Sequence, residues 1–202
     1  MTKEYDRAMK LKEQSEKLFR VKCDENSYTY MYIDQEKMTY SSKIWKDMSK
    51  RPDYILSLPH IGSIFVDVKA YSEHLFYKDS LEHLNKGVPK AFRIEVEEVI
   101  KYRTLQDETA LKVWLAIMPV QEDTVTNDIH FLPIDRVTKF MSERHYTKPE
   151  WDYVQVPIPC STDCSKLAHN KCGKCTWDYC KNLNELLRLD DEIHFKKYGK
   201  TQ

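Results

Sequence analysis

The sequence predicts an α/β domain followed by a small cysteine-rich subdomain, and three observations lead there. The chain has 202 residues, 41% hydrophobic and 32% charged, which is enough apolar material for one sizeable core in a globular protein. Its first 120 residues alternate helix-period and strand-period patterns in the order helix, strand, strand, strand, helix, strand. Five of its six cysteines fall between residues 160 and 180, in a tail with little apolar material of its own. These features divide the chain into a core over 1–155 and a cysteine-rich, metal-binding subdomain over 156–202.

The elements follow in order. Residues 3–20 carry Tyr5, Met9, Leu11, Leu18 and Phe19 with charges between them, a helix pattern. "SYTYMYID" (27–34) is rich in tyrosine and threonine and reads as a strand. "MTYSSKIWKDMSK" (38–50) fits no single pattern. "DYILSL" (53–58) and "SIFVDVKAY" (63–71) read as two strands joined by a turn at "PHIG", so a hairpin is the simplest link. "FRIEVEEVIKYRTLQ" (92–106) spaces Ile94, Val96, Val99, Ile100, Tyr102 and Leu105 as a helix does, and "ALKVWLAIMPV" (110–120) is an apolar strand expected to stop at Pro119. "DIHFLPIDRVTKF" and "DYVQVPIP" read as short strands whose prolines suit edges or connections. Residues 181–195 read as a terminal helix.

Composition removes several function classes. Lysine plus arginine and aspartate plus glutamate are both 32, so any nucleic-acid contact must come from local clusters and not from bulk charge. Four glycines include no phosphate-cradling loop, and no serine–histidine pair sits in a nucleophile-elbow context. No apolar run reaches the 18 residues of a membrane span. The N-terminal stretch is charged and carries no signal-peptide segment, so a cytoplasmic location is expected, and the cysteines are then expected as thiols or metal ligands.

Two acids and a lysine sit where strands would build core. Strand side chains alternate faces, so Asp67 and Lys69 share one face with Phe65 while Ile64, Val66 and Val68 line the other. If 53–58 pairs antiparallel with 63–71, Asp53 comes close to Asp67. Two carboxylates that close repel unless a cation lies between them, and a hard divalent ion such as Mg²⁺ suits one or two carboxylates plus water and phosphate oxygens. Lys69 would then orient a water or stabilise charge developing on phosphorus.

Asp53 in "RPD" and the later "DVK" of Asp67 and Lys69 resemble the motif of the PD-(D/E)xK nuclease superfamily, and the element order resembles that superfamily's core. The resemblance covers roughly residues 8–120. It implies a restriction-endonuclease-like αβββαβ core with a mixed sheet, and Mg²⁺- or Mn²⁺-dependent cleavage of DNA. Asp53 and Asp67 would be metal ligands and Lys69 the catalytic lysine. Many members add a glutamate from the first helix, for which Glu16 is the first candidate and Glu13 the second. The 71–92 segment lacks a glutamine–tyrosine motif of the kind some exonuclease members carry, which favours endonuclease-type cutting. A chain this small would act on two strands as a homodimer or within a larger DNA-processing complex.

Lys43, Trp45, Lys46, Lys50 and Arg51 precede the acidic motif and are candidates for backbone contact, with a base stacked on Trp45; Lys10, Lys12, Lys17 and Arg20 would add to them from the first helix. A plain solvated surface explains such clusters equally in a chain one-third charged. In the tail, "CGKC" is a knuckle that turns two thiolates toward one ion. Cys160, Cys164, Cys172 and Cys175 make a tetrahedral set for structural Zn²⁺, with Cys180 or His169 as substitutes. The competing reading is a 4Fe-4S cluster, because Cys172, Cys175 and Cys180 resemble the late triplet of some iron–sulfur nucleases, with Cys23 as the early member. Cys23 alone otherwise reads as a small core residue. Glu95, Glu97 and Glu98 read as a solvated helix face from which one side chain could reach the metal. The rival for the whole chain is a non-catalytic nucleic-acid- or protein-binding module organised by the zinc site.

Overall fold

A computed structural model of the chain describes residues 3–33, 51–58, 62–72, 74–75, 90–127, 129–141 and 152–157. Helix α1 (Lys3–Glu25) leads into β1 (Thr29–Tyr32), β2 (Tyr54–Leu58) and β3 (Gly62–Ser72). A short β4 (His74–Leu75) and β5 (Lys90–Glu95) precede helix α2 (Val96–Thr109), after which come β6 (Val113–Gln121), β7 (Thr124–Val125), β8 (His130–Pro133), helix α3 (Ile134–Met141) and β9 (Tyr153–Pro157).

The principal sheet runs β1-β2-β3-β6-β7, with β8 also paired to β6. β1–β2 and β2–β3 are antiparallel, whereas β3–β6 is parallel, with Phe65 opposite Val113 and Lys69 opposite Ile117. The sheet is therefore mixed, as expected. The 53–58 and 63–71 segments pair as the hairpin reading requires, with Tyr54 opposite Val66 and Leu58 opposite Gly62. Gly62 takes a φ of +96°, a conformation that side chains with a Cβ rarely adopt, so the entry to β3 depends on glycine. Residues 59–61 of the expected turn lie outside the described residues.

Helices cover both faces of this sheet. β6 shows why its sequence reads as an unbroken apolar run. Val113, Leu115 and Ile117 join Phe65 and pack with Val99, Tyr102 and Leu105 of α2 and Ile134 and Val137 of α3. Trp114, Ala116 and Met118 join Ile64, Val66 and Val68 and pack with Phe19 and Cys23 of α1. A strand buried on both faces needs apolar residues at every position, not at alternate ones. The α1 face is tightened by Phe19 against Tyr54, ring centroids 4.9 Å apart, and by Arg20 Nη1 donating to Tyr54 Oη at 2.8 Å.

Three expectations are corrected. Residues 92–95, read as the start of a helix, belong to β5, which pairs with β4 and β9 in a second, three-stranded sheet. Phe92 and Ile94 alternate with the period of a strand, the helix spacing begins only at Val96, and Val96 N–H donates to Asp152 O at 2.7 Å, which carries the tie to the β9 side past Glu95. Within the 128–140 stretch, His130–Pro133 is strand β8 and α3 begins at Ile134. β6 runs through Pro119, whose carbonyl accepts from Thr126 N–H at 2.7 Å. Proline lacks a donor but keeps its acceptor, and this strand uses the acceptor. The expected cysteine-rich subdomain over 156–202 lies, beyond residue 157, outside the described residues.

Gln106 locks the second helical layer. Its Oε1 accepts from Val113 N–H at 2.7 Å and its Nε2 donates to Asp135 Oδ1 at 2.9 Å. One buried amide thus joins the end of α2, the start of β6 and the first turn of α3.

Candidate active site

The register of the hairpin sets the site. With Tyr54 opposite Val66, continuing the antiparallel pairing by one step puts Asp53 across from Asp67. Asp53 keeps 4% of its surface exposed and Asp67 keeps 3%, so two carboxylates face one another almost out of water. Asp53 Oδ2 accepts a hydrogen bond from Val68 N–H at 2.8 Å. Burial first, and the Asp67 carboxylate second, push the Asp53 carboxyl up to about 7 against the lowering effect of that hydrogen bond.

Lys69 follows Asp67 on the same face of β3. Its Nζ lies 2.7 Å from Asp67 Oδ2 and 2.6 Å from Glu98 Oε1 of α2. The ammonium thus bridges the two carboxylates, forming an ion pair with each. Tyr102 Oη donates to the same Glu98 Oε1 at 2.9 Å, and the Tyr102 ring centroid stands 5.8 Å from Lys69 Nζ. Burial works against the charge on Lys69, but Asp67 and Glu98 outweigh it and hold the ammonium well above its usual range. Lys69 is a cation throughout the physiological pH range, so it is available as a donor and a point charge and not as a base.

A cleft of about 420 Å³ opens over these groups. Asp67, Val68, Lys69 and Ala70 of β3 line one wall, Arg51 and Asp53 lie ahead of β2, and Ala8, Leu11, Lys12 and Ser15 of α1 close the other side. Glu16 does not line it. Lys12 Nζ and Arg20 Nη1 stand 3.8 and 3.9 Å from its carboxylate, and its charge contributes to raising the Asp53 carboxyl. Glu13 is exposed on α1.

Of the expected backbone-binding cluster, Arg51 lies at the cleft, and Lys43, Trp45, Lys46 and Lys50 lie outside the described residues. From α1, Lys12 reaches the cleft, Lys10 and Lys17 are exposed, and Arg20 is held by Tyr54. Cys160, Cys164, Cys172, Cys175, Cys180 and His169 also lie outside the described residues. Cys23 packs against the sheet with 1% exposure, and burial pushes its thiol up to about 12. Such burial fits the small core residue that the sequence also allows.

Sequence reasoning places Glu98 on a solvated face of three glutamates, one of which could reach the metal, and takes Tyr102 only as an apolar helix position; it misses their contact with Lys69. Glu98 reads as solvated because Glu95 and Glu97 flank it. The available signal is the spacing: Glu98 and Tyr102 are four apart and so share a helix face, and Val99 and Leu105 mark where α2 is buried.

Asp53 and Asp67 present only oxygen donors, which suits Mg²⁺ or Mn²⁺ more than a soft metal. The Asp53 carboxyl is raised by burial and by Asp67, and Asp67 Oδ2 is held by the Lys69 ammonium at 2.7 Å. No group of three or more His, Cys, Asp or Glu suited to a metal occurs among the described residues; Mg²⁺ characteristically keeps several waters and takes only one or two protein carboxylates.

No protein-family model matches the chain, and no match was found among curated proteins. Among solved structures, the chain is similar to a Holliday junction resolvase of Archaeoglobus fulgidus, an archaeal hyperthermophile, with 10% identity over 71% of this chain and 85% of that one and a TM-score of 0.42.

Proposed function

We propose that this chain is a metal-dependent nuclease of the restriction-endonuclease-like kind, hydrolysing phosphodiester bonds in DNA. The observation that carries the reading is the pairing of two buried carboxylates, Asp53 and Asp67, across one hairpin register beside the ammonium of Lys69, all on one cleft.

Asp53 and Asp67 would hold Mg²⁺ or Mn²⁺. The ion would supply Lewis-acid polarisation of the scissile phosphate and ease deprotonation of water. The hydrogen bond from Val68 N–H to Asp53 Oδ2 fixes the placement of that carboxylate at the cleft. Lys69 donates to the attacking water and offsets negative charge as it builds on the phosphoryl oxygens. Because its charge is secured by Asp67 and Glu98, it gives up no proton in doing so. Arg51 and Lys12, at the rim, hold flanking phosphates. Glu16 adds negative charge on the α1 side. The apolar wall of Leu11 and Ala8 limits water around the scissile bond. A homodimer or a larger complex would serve two-strand cutting, and the cysteine-rich tail, with Zn²⁺, would brace the core or grip DNA.

The test is incubation with supercoiled, linear, single-stranded and branched DNA, with and without Mg²⁺ or Mn²⁺, for the wild type and Asp67→Ala. Cation-dependent cleavage that disappears in a folded Asp67→Ala protein is expected. A wild type that binds DNA and never cuts any of the four would assign the chain to the non-catalytic class instead.

A further inference from the structure

We propose that Glu98 is the positioning residue for Lys69, clamping its ammonium so that one N–H is directed into the cleft at the attacking water; this rests on the nuclease reading given above. An ammonium has three N–H groups. Glu98 and Asp67, at 2.6 and 2.7 Å, engage two of them. Lys69 lines the cleft and keeps 20% side-chain exposure, so the third N–H is the one that meets what enters.

Glu98 is itself fixed. Tyr102 donates to its Oε1 at 2.9 Å from one turn along α2, and Tyr102 is fully buried in the core beneath that helix. The chain of support therefore runs from packed core to Tyr102, to Glu98, to Lys69. Asp67 alone would be a poor anchor, because in the nuclease reading it also serves the divalent ion. Glu98 does not line the cleft and its partner is Lys69, so it acts through that lysine. A lysine stem with four rotatable bonds needs such a second anchor to hold one geometry.

Two readouts separate this role from a merely structural one. In metal-free ¹⁵N-labelled protein, the Lys69 Nζ cross peak, assigned by its loss in Lys69→Arg, is expected in the wild type and in Glu98→Gln and absent in Glu98→Ala. In Mg²⁺-dependent cleavage, Glu98→Ala is expected to lower kcat by about 10–100-fold with KM little changed, the usual scale for a residue that orients a site group; Glu98→Gln, which keeps an acceptor but not the charge, is expected to lose roughly 3–10-fold.

A wild type that cleaves while Glu98→Ala cleaves equally well, or keeps the Lys69 cross peak, overturns the clamp and leaves the nuclease reading standing. A wild type that shows the cross peak and cleaves nothing overturns the nuclease reading and the positioning role together. Should Glu98→Ala fail to fold, Glu98→Gln decides, and wild-type kcat in that variant overturns the clamp.

Discussion

Asp53 Oδ2 accepts a hydrogen bond from the backbone N–H of Val68 at 2.8 Å, so the residue that opens one strand is anchored to the position between Asp67 and Lys69 on the next. That contact fixes the separation of the two acids through backbone geometry and not through a flexible side-chain pair. It also leaves Asp53 buried beside Asp67, and the cost of that placement is readable in solution.

The first prediction concerns pH. The folded Asp53 carboxyl is raised to about 7 from an ordinary value near 3.8. Between those limits the folded state keeps a proton that the unfolded chain releases, so stability falls as pH rises. The penalty is absent below the unfolded value and complete above the folded one. Thermal melts in chelator should give a lower Tm at pH 8 than at pH 5 for the wild type, and a smaller difference for Asp53→Asn. Mg²⁺ should raise the wild-type Tm more at pH 8 than at pH 5. A wild-type Tm that does not change over this range would contradict the buried pair.

Lys69→Ala should be the most destabilising single change at the site. It leaves Asp53, Asp67 and Glu98 without their ammonium, and removing one partner of a buried ion pair costs about 3–5 kcal/mol. Urea unfolding at pH 8 should show a loss on that scale, and a smaller one at pH 5, where Asp53 is protonated. A loss under about 1 kcal/mol, the surface-pair range, would mean the ammonium is not a structural counter-ion.

Charge reversal at the cleft rim reports on DNA. Lys12→Glu and Arg51→Glu should each weaken DNA binding at moderate salt. Each should also reduce the slope of log K against log salt by about 1, the signature of one lost phosphate contact. Glu13→Lys, on an exposed part of α1 away from the cleft, should leave affinity and slope near those of the wild type. Equal effects from all three changes would assign the binding to diffuse charge.

The cysteine tail makes a compositional prediction. Elemental analysis should find about one Zn²⁺ per chain, as a four-thiolate site takes a single ion. Alanine at Cys172 and Cys175 should remove it. Iron, with a brown colour and visible absorbance in anaerobically purified protein, would replace the zinc site with a cluster.

The part of the site legible in the sequence is the part that strand alternation controls. Asp67 and Lys69 share a face because they are two apart, and Asp53 meets Asp67 because a short hairpin allows one simple register. The expected mixed sheet, and helices α1 and α2, also follow from periodicity. What escaped depends on contacts between elements. Ile94 is spaced from Val96 as in a strand, while Val96, Val99 and Ile100 are spaced as in a helix, so the boundary between them is fixed by the pairing of residues 91–95 with β9. Pro133 suggested an edge strand, yet it is the last residue before α3, where a fixed φ causes no conflict with the helix that follows. Glu98 was hidden among other acids, because no local pattern states which of three neighbouring glutamates will meet a lysine more than twenty-five positions away.

The parallel pairing of β3 with β6 bears on the order in which the site is assembled. The two acids are brought together by a tight hairpin, a closure of low entropic cost. The amine clamp requires α2, which docks only when β6 returns beside β3 across the β4–β5–α2 crossover. Long-range parallel closure is the slower event. A nascent chain thus carries the paired acids well before it carries a fixed amine, and an early-arriving cation would act as a folding ligand at that stage.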